Sequence, residues 1–174
     1  MKKNRIIAVI SILFATILFT SCGYNTIVTL REGVDAQWAN VENQYQRRAD
    51  LVPNLVSTVK GYAKHEAEIF EQVSPARAQL ASGMRADSSI TDDPAKLAAY
   101  QKAQDTLGAS LSRLIAIAEA YPDLKANENF KDLQSQLEGT ENRIATERGR
   151  YNNAVKEYSI EVTYFKINII EPIG

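Results

Sequence analysis

A chain of 174 residues with 45% hydrophobic residues is long enough to bury a core, and its length indicates one domain. Only 8 glycines and 5 prolines are present, which argues against a loop-rich β protein. The formal charge is −1 for the whole chain and −4 without Lys2, Lys3 and Arg5, and no basic stripe carries interleaved aromatic residues. This balance argues against a nucleic-acid-binding protein.

The N-terminus has the pattern of a bacterial export signal. Positive charge in the first five residues precedes the apolar run Ile6–Phe19, which is short for a membrane span. The only cysteine, Cys22, ends the segment Leu18–Cys22, which resembles a bacterial lipobox with Phe19 where Leu is usual. The resemblance implies cleavage before Cys22 and attachment of a lipid to its thiol. The alternatives are an ordinary signal peptide and an uncleaved anchoring helix.

Either reading makes residues 1–21 a signal peptide or membrane anchor. The positive flank is expected to stay inside, so the rest of the chain lies outside the cytoplasm. We therefore expect a protein of the cell membrane or outer membrane, anchored through lipidated Cys22 or through a retained N-terminal helix.

Four later segments carry apolar residues at the spacings of three and four that amphipathic helices show. They predict helices at Tyr24–Arg48, Val52–Ala81, Pro94–Tyr121 and Glu128–Phe165, with a loop at Ser82–Asp93 and a short turn at Pro122–Asn127. Arg48 suits a helix C-terminus, Asp50 suits an N-cap, and Pro53 is tolerated in a first turn. These residues predict a sharp turn at Arg48–Asp50, and one continuous kinked helix is the alternative.

The four stripes predict an all-α fold, an antiparallel up-and-down four-helix bundle over residues 22–165. An apolar tail at 166–174 follows the bundle. Folding back at the predicted turn buries the stripe around Trp38, which would otherwise forgo about 1.5–3 kcal/mol per large side chain. Counting outward from the predicted turns places Trp38 opposite Gly61, which would leave room for the indole. The count also places Gly108 level with Gly139, where two backbones could approach closely.

The same count gives two candidate sites. It brings Glu66 to the level of Glu138, Thr140 and Glu141, with Arg143 about one turn away. Because a buried carboxylate is costly unless paired, we expect Glu66 to form a buried ion pair with Arg143 or to meet another donor of the fourth helix. It also places a set of charged residues at the end of the bundle away from the anchor, where a partner or a small anion could bind. These residues are Arg47, Arg48, Asp50, Asp123 and Lys125.

Several stretches of the chain resemble the LemA family of bacterial cell-envelope proteins. They are Tyr24-Asn25, Val34–Glu66, Ala120–Leu124 with Asn129-Phe130, and Leu133–Val155, in order through most of the exported part. The resemblance implies a four-helix antiparallel bundle behind an N-terminal membrane anchor. It implies no established enzymatic activity, cofactor or catalytic residue. Cys22 departs from the retained helix of many members, and the C-terminal tail departs from the family's usual ending.

The residues themselves carry no recognisable catalytic or metal motif. His65 is the single histidine, whereas di-iron bundles use two Glu-x-x-His segments and helical zinc sites use two histidines four residues apart. A cluster of Glu and Arg residues around Glu141 could hold a general acid and base, but structural ion pairs explain it more simply.

The leading hypothesis is therefore a non-catalytic scaffold that needs no cofactor and binds an envelope protein partner. A binding module for a small anion or peptide, centred on Arg47 and Arg48, is the alternative.

Overall fold

The computed structural model describes the backbone of residues 2–71, 73, 78, 80 and 90–166, and their side chains from residue 25 onward. In this part of the chain every regular element is helical, which confirms the all-α prediction. The helices are α1 (Lys2–Tyr62), α2 (helical residues 67–71, 73, 78 and 80), α3 (Pro94–Ile117), α4 (Pro122–Ala126) and α5 (Glu128–Phe165). Short 3-10 helices at Ile90–Asp92 and Ala118–Ala120 flank α3.

The predicted turn at Arg48–Asp50 is wrong, because α1 continues through these residues to Tyr62. The apolar stripe does not stop at the arginines, since Val52, Leu55 and Val59 extend it and all three are buried. A proline inside a helix costs about 3 kcal/mol, and packing on both sides of Pro53 offsets this cost. The continuous helix considered as the alternative is the one that forms.

The chain reverses instead at residues 63–66. The Ala63 amide closes the last turn of α1 by donating to the Val59 carbonyl at 2.9 Å, and the Glu66 amide donates to the Ala63 carbonyl at 3.2 Å. Ala63 is fully buried while the next three residues are exposed. Residues 52–62 therefore belong to the first helix, and the first reversal lies later in the chain than the arginine pair suggested.

The chain divides into two compact units. The bundle unit consists of residues 40–147, and the paired-helix unit consists of residues 1–39 and 148–174. In the bundle unit α1, α2, α3 and α5 all contribute buried apolar side chains to one core, which confirms a helical bundle. The most enclosed include Val41, Tyr45, Leu55, Val59, Val73, Leu107, Leu111, Leu114, Leu124 and Phe130.

In the paired-helix unit Trp38 packs against Tyr151. Their ring centroids are 5.2 Å apart at an interplanar angle of 59°, and both residues are buried. Trp38 is thus hidden from water, but by α5 and not by Gly61, which is exposed and has open space around its α-carbon. Burial raises the pKa of Tyr151, and the Asp35 carboxylate adds to the rise while Arg31 opposes it.

The caps of the later helices follow the sequence closely. The Asp93 carboxylate accepts from the amides of Ala95 and Lys96 at 3.0 and 3.1 Å and so caps α3. The Asn127 side chain accepts from the Phe130 amide at 3.0 Å, which fixes the start of α5. The segment predicted as a turn between them contains α4, because Leu124 buries its side chain completely.

Some predictions fall outside the described residues: the side chain of Cys22, most of the Ser82–Asp93 loop, and residues 167–174 of the tail. Across the described part of the chain, no helix combines the length and the apolar character needed to cross a membrane.

Candidate functional site

Arg48 lies inside the bundle unit and is only 2% exposed. Its Nη1 donates to both carboxylate oxygens of Glu141 on α5, at 2.9 and 3.2 Å. Its Nη2 donates to the backbone carbonyl and to the side-chain Oε1 of Gln104 on α3, at 2.8 and 2.6 Å. One guanidinium therefore joins α1, α3 and α5, and its forked donors suit this task better than a lysine would.

Two tyrosines complete a group that we call the core polar cluster, consisting of the buried Tyr45, Arg48, Tyr100 and Gln104 and the half-buried Glu141. Gln104 donates through Nε2 to the Tyr100 hydroxyl at 2.9 Å. The rings of Tyr45 and Tyr100 meet edge to face at 5.9 Å, and Arg48 Cζ lies 5.3 Å from the Tyr45 ring centroid. Burial raises the pKa of Tyr100 to about 12, although the hydrogen bond from Gln104 acts in the opposite direction.

Gly108 on α3 makes room for this cluster. A Cβ atom at this position would lie 3.1 Å from Arg48 Nη1. The predicted close approach of Gly108 and Gly139 is wrong, since Gly139 has open space around it. Gly108 does lie close to a neighbour, but that neighbour is the Arg48 side chain and not a second backbone.

The structure separates the two arginines that the anion-binding hypothesis combined. Arg47 is exposed, whereas Arg48 is buried and fully engaged through both Nη atoms. The prediction of Arg48 at an exposed tip is therefore wrong, because the residue continues the buried stripe of α1. Asp50 is exposed on α1 and accepts a hydrogen bond from Gln46 at 2.8 Å. A pairwise guanidinium site for an anion does not form there.

The predicted buried pair of Glu66 and Arg143 is also wrong, because both residues are exposed. Because α1 ends at Tyr62, Glu66 lies in the loop that follows α1 and not in the helical stripe. A half-buried ion pair does exist, between the buried Arg48 and Glu141, whose side chain is 41% exposed. Its sequence signal was the position of Arg48, four residues before Val52 and three after Tyr45, on the same face of one helix.

The tip of the bundle unit is formed by residues 62–66 and 118–128. Asn127 Nδ2 donates to the Tyr62 hydroxyl at 3.0 Å, and the Tyr121 hydroxyl donates to Glu66 Oε1 at 3.2 Å. Partial desolvation raises the pKa of Tyr121, and the bond to Glu66 adds to the rise. Tyr62 remains 42% exposed. The two hydrogen bonds hold the loop after α1 against the segment that contains α4.

The predicted tip residues Asp123 and Lys125 both lie on α4 and are exposed. Lys125 Nζ contacts the Glu119 carboxylate at 2.6 Å. The tip therefore exists, but the loop at residues 62–66 takes the place that the prediction gave to residues 47–50.

The described residues of the bundle unit line at least two surface grooves. A groove between α1 and α5 has a volume of about 380 Å³ and is lined by Asn54, Ser57, Thr58, Asn129, Asp132, Leu133 and Gln136. A second, between α3 and α5, has a volume of about 290 Å³ and is lined by Gly108, Ser112, Ile115, Leu137, Glu138, Glu141 and Asn142. Among the residues described, no group of three or more His, Cys, Asp or Glu side chains could hold a metal ion.

Comparison with known proteins assigns the chain to a family. The profile of the LemA family matches residues 37–173. This chain belongs to the LemA family. The match includes the core polar cluster, the tip and both grooves, so the resemblance noted in the sequence is confirmed over the whole bundle unit from residue 40 onward.

The LemA-family chain is similar to three magnetosome proteins. MamQ 1 and MamQ 2 of Paramagnetospirillum magneticum are each 30% identical over 182 residues, which cover 95% of this chain and 66% of either relative. MamQ of Magnetospirillum gryphiswaldense is 30% identical over 155 residues, which cover 80% of this chain and 57% of that relative. The chain spans less than two thirds of the length of these relatives.

Proposed function

We propose that this LemA-family chain is a membrane-anchored scaffold of the cell envelope that presents the tip to a protein partner and catalyses no reaction. Membership of the family and the similarity to proteins of the magnetosome support association with a membrane. The apolar leader and Cys22 support a lipid anchor, with a retained helix as the other mode. The core polar cluster supports a structural role, because Arg48 on α1 bonds Gln104 on α3 and Glu141 on α5 and so joins three helices.

The observation that carries the proposal is the prearranged tip. Tyrosines are frequent anchors of protein interfaces, and a residue that is already held in place loses less entropy when it binds. The Tyr62 hydroxyl is held by Asn127, while its ring stays partly exposed. Tyr121 is held in the same way by Glu66. The tip thus offers aromatic surface whose position is fixed before any partner arrives.

Site-specific photo-crosslinking in cells tests the tip. A photoreactive residue at Lys64, an exposed position in the tip, should form a reproducible crosslinked species at native expression. The same residue at Lys102, exposed on α3 in the same unit, is the control position and should not. Tyr62→Ala should remove the crosslink at Lys64 while the protein level stays unchanged. Equal crosslinking from both positions, or none from Lys64, would contradict a partner at the tip.

Metabolic labelling with palmitate tests the anchor. The full chain should incorporate label, and Cys22→Ser should abolish it, because no other cysteine can carry the lipid. If both forms stay unlabelled and remain in the membrane fraction, a retained helix is the anchor. Release of the wild-type chain into the soluble fraction would refute membrane anchoring in either form.

A further inference from the structure

The groove between α1 and α5, which we call the amide groove, is lined mainly by short polar side chains. On α1 the lining positions are Asn54, Ser57 and Thr58, and on α5 they are Asn129, Asp132, Leu133 and Gln136. Residues three and four positions apart lie on one face of a helix, so each helix directs its set toward the same space. Because these side chains are short, they leave about 380 Å³ between them. This volume lies within the range of small-molecule sites.

Two hydrogen-bonded contacts, one beyond each end of the amide groove, hold α1 and α5 in place. Arg48 is bonded to Glu141 before the groove, and Tyr62 is bonded to Asn127 beyond it. Both contacts join the segments that carry α1 and α5, and they set an antiparallel register between them. The groove is therefore preformed, and a ligand would not have to separate or align the helices.

Five of the polar side chains that line the amide groove do not stabilise the fold through hydrogen bonds or ion pairs. The side chains of Asn54, Ser57, Asn129, Asp132 and Gln136 make no hydrogen bond or ion pair with any residue that the structure describes. Elsewhere on α5, polar side chains of the same kinds are engaged: Gln134 bonds Glu138, and Thr140 bonds the Gln136 carbonyl. Five uncommitted side chains that converge on one space form a surface rich in both donors and acceptors.

The lining disfavours anionic ligands and apolar ligands. No lysine or arginine lines the groove, and the Asp132 carboxylate repels negative charge, so a phosphate or carboxylate ligand is disfavoured. Leu133 is the sole aliphatic lining residue, so an apolar ligand would bury polar groups without partners. The lining instead suits a neutral ligand with closely spaced groups that both donate and accept hydrogen bonds.

From this lining we infer that the amide groove is a binding site for a neutral saccharide. Adjacent sugar hydroxyls can each donate and accept, and they match the paired oxygen and nitrogen of Asn54, Asn129 or Gln136 and the two oxygens of Asp132. The carbon–hydrogen face of the sugar ring can rest on Leu133. Because the groove is open to water, most of the bound sugar stays hydrated, and we expect weak binding.

Saturation-transfer NMR on the full chain tests the inference, with the protein in a zwitterionic detergent that carries no sugar headgroup. The probes are triacetylchitotriose, maltotriose and, as a neutral amide-rich ligand without hydroxyls, N-acetyl-triglycine amide. At least one saccharide should bind saturably, and the peptide should not. Binding of the peptide, with or without a saccharide, or binding of none of the three, would overturn the inference.

Substitutions locate the binding. Asn54→Ala and Asp132→Ala should each weaken saccharide binding about tenfold, the loss expected when a ligand loses one or two hydrogen bonds. Both residues are exposed, so the fold should tolerate the changes. Asp123→Ala, which removes an exposed carboxylate at the tip, is the control and should leave binding unchanged. Undiminished binding in both groove variants would place the sugar elsewhere and refute the inference, whatever the outcome of crosslinking at the tip.

Discussion

Arg47 and Arg48 are adjacent on α1, but Arg47 is exposed and Arg48 is buried. The free energies of unfolding of variants at the two positions can measure this difference. Arg48→Met should lower the free energy of unfolding by about 1–3 kcal/mol, the cost of leaving buried hydrogen-bond acceptors without their donor. The loss arises because Gln104 and Glu141 keep their acceptors but lose the guanidinium that served them. Thermal or denaturant unfolding of the full chain in detergent, followed by circular dichroism, measures the change.

Arg47→Met is the matched control for this substitution. Arg47 is exposed, so the change should stay within about 0.5 kcal/mol. Equal effects of the two variants would mean that both arginines face water, as the sequence suggested, and would contradict the core polar cluster.

A second contrast compares two glycines that lie inside helices. Alanine is favoured over glycine in a helix by about 1 kcal/mol, so Gly139→Ala, in open space on α5, should stabilise the chain by about this amount. Gly108→Ala should not, because its Cβ would press on Arg48 Nη1, which is held by its bonds to Glu141. The free energies of unfolding of both variants measure the difference.

The Arg48→Met background isolates the cause of this contrast. With the guanidinium absent, Gly108→Ala should recover the gain seen at Gly139. If the penalty at Gly108 persists in that background, a neighbour other than Arg48 is responsible for it.

At the scale of elements, the position of the first turn is the main difference between the sequence prediction and the structure. If the chain turns at residues 63–66, Ala49 is inside α1 and Lys64 is in the loop. Ala49→Gly should then destabilise the full chain by about 0.5–1 kcal/mol, because glycine costs that much in a helix interior. Lys64→Gly should change the stability by less than about 0.5 kcal/mol. A turn at residues 48–50 requires the opposite order in the same unfolding experiment.

The sequence predicted the helices well where caps and apolar periodicity agreed. Asp93 with Pro94 predicted the start of α3, and the stripe that contains Phe130 and Ile144 predicted both ends of α5. It failed at Arg48–Asp50 because two arginines, an aspartate and a proline have the local pattern of a turn. Tertiary packing outweighed that pattern, since the buried stripe runs through it.

The site was less predictable than the fold for a related reason. The residue type of Arg48 predicts a surface charge, whereas its spacing from Tyr45 and Val52 predicts a position in the stripe. Its partners Gln104 and Glu141 lie far from it in the chain, and their register depends on where α1 ends. The sequence prediction ends the first helix several helical turns too early. The pairs of residues that are counted from that end, including Glu66 with Arg143, are therefore wrong.

For the molecule as a whole, the buried tyrosines make stability depend on alkaline pH. The pKa of Tyr100 is about 12 in the folded chain, against 10.0 as its ordinary value, because the ring and its hydroxyl are buried. The unfolded chain therefore releases this proton at a lower pH than the folded chain. The stabilisation is fully present below pH 10 and is lost as the pH rises toward 12, by about 2–3 kcal/mol.

Unfolding of the full chain at a series of pH values from 9 to 12 should show this decline. Tyr100→Phe should flatten it, because the variant has no proton to lose at this position, even though the variant starts from a lower stability with Gln104 Nε2 deprived of its acceptor. Some decline should remain, because burial also raises the pKa of Tyr151. Tyr164→Phe, at a position that is 64% exposed, should retain the wild-type slope. An unchanged slope in Tyr100→Phe would place the alkaline sensitivity outside the core polar cluster.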